Sequence, residues 1–183
     1  MSVLASTLRA GVLLASAIAA AVPAAAEIIR SGDGGFELRA VRTVATDRPA
    51  SYAASIRDVG RWWNPDHTYS GRASNLRIEP RAGGCFCEKT GDRGGVQHMQ
   101  VVYLAPGKAL RLAGGLGPLQ ALAASGALTW SFEDAAGGGP RIAWSYRVNG
   151  LSAAESASLA PVVDQVLTEQ LERLARHLGG GKP

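Results

Sequence analysis

Residues 61–71, Arg-Trp-Trp-Asn-Pro-Asp-His-Thr-Tyr-Ser-Gly, hold two of the four Trp, one of the three His and one of the four Tyr of a chain that is only 6% aromatic. Trp and Tyr join a large apolar body to a single polar handle. They suit the wall or mouth of a pocket that grips an apolar ligand by contact and orients it by a few hydrogen bonds. Trp62 and Trp63 are neighbours and are expected to point different ways, one into core and one to pocket or surface. Tyr69 can add a polar contact. His67 is a candidate general acid or base because an unperturbed imidazole titrates near neutrality. The competing reading is a loop histidine bonded to backbone.

The second stretch is Gly-Gly-Cys-Phe-Cys-Glu at 83–88. In a strand, Phe86 and Glu88 share one face and Cys85 and Cys87 the other. If Phe86 points inward, Glu88 becomes a cavity carboxylate whose burial raises its pKa, a second acid/base or anchoring candidate. The alternative is a surface glutamate beside Lys89 or Arg93. Residues i and i+2 of a strand have Cα atoms roughly 6.5–7 Å apart, at or beyond the limit for a bridge. Free thiols are therefore expected, and a disulfide needs a local bulge, which Gly83-Gly84 allows. His98 is assigned to a strand face with Gln100 and Val102, opposite Met99, Val101 and Tyr103. A soft-metal site from Cys85, Cys87 and His98, with His67, lacks any standard ligand spacing, so no metal is expected. Gly115-Leu-Gly117 lacks the third glycine and the strand–helix context of a dinucleotide site, and no P-loop, nucleophile elbow or zinc-protease motif occurs. No cofactor is expected.

These residues need elements to position them. Phe36 to Thr46 reads as a strand. Asp47 and Pro49 then open a helix over Ala50–Val59, with Tyr52, Ile56 and Val59 on one stripe and Gly60 ending it. Short strands follow at 76–79, 84–89, 96–104 and 110–114. The clearest period-two pair is Leu128, Trp130 and Phe132 with Ile142, Trp144, Tyr146 and Val148, joined by a hairpin loop at 137–140. Trp130, Trp144 and Tyr146 lie on inward faces. There they are core by default, or cavity lining where the sheet encloses a cavity, and Tyr146 has a hydroxyl to offer. Leu116, Leu119 and Leu122, in the glycine-flanked stretch 114–126, suit a short helical turn over the core. From Leu159 to Leu178 the period changes to that of a long amphipathic helix, whose start is put near Leu159 because Pro161 is tolerated only in a first turn. The order is a strand, one or two short helices, about six antiparallel strands and a terminal helix, in a single domain over 27–183.

The first 26 residues carry Arg9, a run of small apolar residues and an Ala-x-Ala ending, which predicts a secretory signal peptide cleaved after Ala26. The run is too short and too alanine-rich for a comfortable membrane span. A periplasmic or secreted product is expected, with no stable membrane insertion after cleavage. Removing the leader takes one cation from the 19 Lys and Arg that face 15 Asp and Glu. The remaining positive excess is small and unclustered, so nucleic acid is an unfavoured partner.

This order, with Gly60–Gly71, Gly83–Glu88 and Leu116-Gly-Pro-Leu-Gln120, resembles the START-like or helix-grip superfamily over residues 36–178. Within it the chain is most similar to bacterial SRPBCC proteins of polyketide cyclase/dehydrase or chaperone-ATPase-activator type. The resemblance implies an α+β helix-grip fold, a curved antiparallel sheet of six to seven strands around a long C-terminal helix, with a deep apolar cavity. For Leu116, Leu119 and Leu122 it implies an apolar lid at the cavity entrance. The first expectation is a protein that binds a hydrophobic or amphipathic small molecule: a lipid, a polyketide-like or an isoprenoid compound. Trp62, Trp63, Tyr69, His98, Leu119, Trp130, Trp144 and Tyr146 are its candidate contacts. The alternative is a cyclase or dehydratase using Glu88 or His67 for proton transfer. A protein-interaction module is third, weakened by export.

Overall fold

The computed structural model describes residues 27–134 and 139–179; the segment 1–26 read as a signal peptide, residues 135–138 at the expected hairpin loop and residues 180–183 lie outside them. Two strands, β1 (Glu27–Gly32) and β2 (Gly35–Thr43), form a hairpin, and three helices follow at intervals. Helix α1 (Arg48–Arg57) starts as its sequence directs, with the Asp47 side chain accepting from the Ala50 amide and Pro49 in the first turn. Gly60 does not end it. The chain turns at Asp58 into a short helix α2 (Val59–Trp62), inside which Gly60 lies so close to residues 73–76 that a Cβ there would sit 2.9 Å from the Ala73 carbonyl.

Strands β3 (Leu76–Ile78), β4 (Cys85–Thr90), β5 (Gly94–Ala105), β6 (Ala109–Ala113), β7 (Ser125–Asp134) and β8 (Pro140–Asn149) complete one antiparallel sheet in the order β1-β2-β8-β7-β6-β5-β4-β3. The sheet thus has eight strands, not six or seven. The strand missing from the sequence reading is β1, five of whose six residues are exposed, so it carries no alternation of apolar and polar residues.

Helix α3 (Ala153–His177) crosses the sheet and packs on β1 and β2. It begins six residues before the predicted start, at a Ser152/Glu155 capping box. Pro161 is consequently interior. Both Pro161 and Ala157 are exposed, so the Ala157 carbonyl left without an N–H partner meets water. An antiparallel sheet closed by one long helix is a helix-grip fold.

The space between sheet and helix is filled unevenly. At one part Trp130 and Trp144 stack 4.8 Å apart and nearly parallel, with Trp62 against both at 5.8 and 6.0 Å. Tyr52 of α1 packs edge-on against Phe132 of β7. Elsewhere the space stays open.

Candidate functional site

The open part is a cavity of about 370 Å³. The turn after α2 supplies Trp63, Asp66, His67, Thr68 and Tyr69, and strands β3 to β5 supply Leu76, Phe86 and His98. The segment after β6 supplies Leu116 to Leu119, and the first and middle turns of α3 supply Leu159, Val162, Val163, Val166 and Leu167. Side chains in a protein interior are close-packed, so an opening of this size, within the range of small-molecule pockets, is not a packing fault.

Each wall is held by identifiable bonds. Trp62 and Trp63 are both buried with their rings 5.5 Å apart, and only Trp63 reaches the cavity. Trp62 sits in the aromatic core with its indole N–H on the Ser55 carbonyl at 3.1 Å, while Trp63 faces the cavity, packs on Phe86 at 5.4 Å and donates to the His67 carbonyl at 3.1 Å. The turn is pinned to α3: Gln170 accepts from the Asn64 amide at 2.7 Å, and Glu169 bonds both Asn64 and the His67 ring, the latter at 3.1 Å. His67 therefore lies at the mouth with its Nε2 engaged. Tyr69 is 56% exposed and also lines the mouth.

Phe86 is fully buried and Glu88 follows it inward, 1% exposed. Glu88 does not line the cavity. Its carboxylate accepts from the Tyr69 amide at 3.0 Å, the Ser70 amide at 2.5 Å and His98 Nε2 at 3.0 Å. Burial pushes its pKa up, but hydrogen bonds from Ser70, Tyr69 and His98 outweigh this and hold it below the usual glutamate value. The raised pKa expected from burial is thus reversed, because the residue arrived inside with its donors.

His98 faces the interior, not the side of Gln100 and Val102. Phe86 pairs with Met99 and Cys87 with Gln97, which makes His98 an extra residue on β5, and both His98 and Met99 are buried. A second shift at Val102 puts Val102 and Tyr103 together on the outer face. Alternation along the sequence has no means of showing an inserted residue. The His98 ring contacts Phe86 and Tyr69 at 5.3 and 5.9 Å between centroids, and burial lowers its pKa against the pull of Glu88.

Cys85 and Cys87 form a disulfide, with Cα atoms 5.4 Å apart. The free thiols expected from regular strand spacing are corrected. The register shift between Phe86 and Cys87 draws the two closer than a flat strand allows, and the extra residue lies on β5 rather than at Gly83-Gly84.

Trp130, Trp144 and Tyr146 do not line the cavity; the packed-core reading describes them. Tyr146 reaches the site through its hydroxyl, which accepts from the Leu116 amide at 3.1 Å and donates to the Gly114 carbonyl at 3.2 Å. Burial pushes this phenol up to about 12. Leu119 is buried on a 3-10 turn at Gly117–Leu122 and lines the cavity, whereas Leu122 is exposed. Gln120 anchors this turn to the carbonyls of Gln97 and His98 at 2.6 and 3.2 Å. The α3 contribution was missed: the Val162-Val163 doublet widens the apolar stripe beyond one face, and that excess width was its signal.

No family model matches the chain, and no curated protein matches it. Solved structures do. An uncharacterised protein from Rhizobium leguminosarum is similar at 19% identity, with TM-score 0.53, over 87% of this chain and 100% of that one. The Aha1 dimer from Colwellia psychrerythraea is similar at 14% identity and TM-score 0.58, over 80% and 98%. DynU16, a protein in the dynemicin biosynthetic locus, is similar at 18% identity and TM-score 0.53, over 80% of this chain and 48% of that one. At these identities the likeness is one of fold, and it agrees with the helix-grip architecture described above.

Proposed function

We propose that the chain is an exported, START-like protein of SRPBCC type that holds a hydrophobic or amphipathic small molecule, of lipid, polyketide-like or isoprenoid character, in the cavity beneath α3. The observation that carries this is the cavity itself: about 370 Å³ walled by Trp63, Phe86, Leu119 and the valines of α3, beside a core that is elsewhere packed with tryptophans. The Cys85–Cys87 disulfide supports export, since such bonds persist in oxidising compartments.

An enzymatic reading, a cyclase or dehydratase, has one observation in its favour. A buried imidazole on the cavity wall is oriented by a carboxylate, His98 by Glu88, which is how a general base is commonly held. In that reading His98 moves the proton and Glu88 positions it.

Native mass spectrometry of the protein purified from its own host tests the proposal. A reproducible adduct, released by organic extraction and identified as an apolar compound, is the expected result. Adduct-free protein in every preparation, with no uptake from a lipid extract, overturns it.

A further inference from the structure

We infer that the cavity selects ligands whose polar end is a hydrogen-bond donor, a hydroxyl on an apolar body, and that the Nδ1 of His98 receives it. The inference rests on the cavity being the binding site and adds the chemical class of what it holds.

The reasoning runs through Glu88. Backbone amides only donate, and one sits on each carboxylate oxygen: Ser70 on Oε1 at 2.5 Å and Tyr69 on Oε2 at 3.0 Å. Both oxygens are therefore committed as acceptors. His98 Nε2 lies 3.0 Å from Oε2 and must donate as well, so Nε2 carries a proton. The ring is 5% exposed between Phe86 and Tyr69, surroundings that favour the neutral form, and a neutral imidazole has one N–H only. Nδ1 is left with a bare lone pair.

That nitrogen is buried and has no partner among the described residues. Of the buried polar atoms without a partner, it is the one that belongs to a cavity-lining residue. Of the other polar groups around the mouth, His67 bonds Glu169 and the Thr68 hydroxyl donates to the Pro65 carbonyl, while the Asp66 carboxylate and the Tyr69 hydroxyl belong to exposed residues that water can pair, so neither is a buried acceptor left bare. A buried acceptor without a donor costs free energy, which an incoming O–H recovers and an ether or carbonyl does not. Tyr69, 56% exposed, is the neighbouring ring with room to turn aside and admit it.

The test compares 2-naphthol with its methyl ether, 2-methoxynaphthalene, by titration against the purified protein. A hydrogen bond of ordinary strength makes the phenol bind about three- to tenfold more tightly than the ether, and His98→Phe brings the ratio of the two affinities to about one. Nitrogen-15 NMR of the His98 ring gives an independent readout, with Nε2 protonated and Nδ1 bare expected at neutral pH. Equal affinity for the two probes, or a proton on Nδ1, overturns the inference and leaves cavity binding standing. Failure of both probes to bind overturns the cavity reading and this inference with it.

Discussion

Glu88→Gln is the perturbation whose cost can be worked out most directly. The carboxylate accepts three hydrogen bonds, from the Ser70 amide on one oxygen and from the Tyr69 amide and His98 on the other. A glutamine of the same shape has one oxygen and one NH2 group. Placed either way, its NH2 faces at least one backbone N–H that it cannot pair. Hydrogen bonds to charged groups contribute roughly 1.5–3 kcal/mol each, and those that survive the change become neutral and weaker. Losing one outright and weakening the others costs on the order of 2–4 kcal/mol, or roughly 5–15 °C in melting temperature for a domain of this size. The assay is denaturant and thermal unfolding of both proteins at pH 7. Glu133→Gln, which removes only the half-exposed ion pair with Arg141, serves as a control expected to fall within about 0.5 kcal/mol.

The pH dependence sharpens the test. Because the folded-state pKa of Glu88 lies below 4.5, the unfolded chain binds the proton first as pH falls. The stability Glu88 contributes is present above that value and is lost as pH drops through the folded pKa. The gap between wild type and variant should therefore narrow below about pH 4.5. A loss under about 0.5 kcal/mol at pH 7, or a gap that stays constant into acid, refutes the account of Glu88 as an ionised anchor.

Tyr146→Phe leaves the Leu116 amide unpaired and should cost about 1–3 kcal/mol in unfolding experiments, with weaker retention of apolar ligand. In the wild type the phenol keeps its proton up to about 12 against 10.0 when unfolded, so stability should fall as pH rises through that interval, and the variant should lack this alkaline phase. Alkylation of the native, unreduced protein should leave Cys85 and Cys87 unmodified; the double Cys→Ser variant should lose about 1–2 kcal/mol, the small value expected for so short a loop. Trp144→Ala opens the stacked aromatic core and should cost roughly 3–5 kcal/mol by denaturant unfolding. A loss comparable to that of a surface substitution would place Trp144 outside the core.

Much of the architecture was legible because local patterns report local structure. Asp47 and Pro49 announced α1, the alternation in 128–148 announced β7 and β8, and the leucine stripe announced α3. Glu88 could be placed indoors by its parity with Phe86. What the chain could not announce is what happens between elements. An inserted residue on β5 turns His98 inward and brings Cys85 and Cys87 together, yet its cause is a pairing with β4 across the sheet. Glu88 was read as a group whose pKa burial would raise, since the amides of Tyr69 and Ser70 that reverse the sign come from a separate turn. Tyr146, Trp130 and Trp144 share an inward face with cavity-lining strands, and only the position of Trp62 decides that their end of the space is filled. The sequence by itself determined which residues face inward wherever a strand or helix runs without an inserted residue. The tertiary structure decided which of those inward residues meet one another and which meet open space, because that depends on distances across the sheet–helix gap that no local spacing encodes.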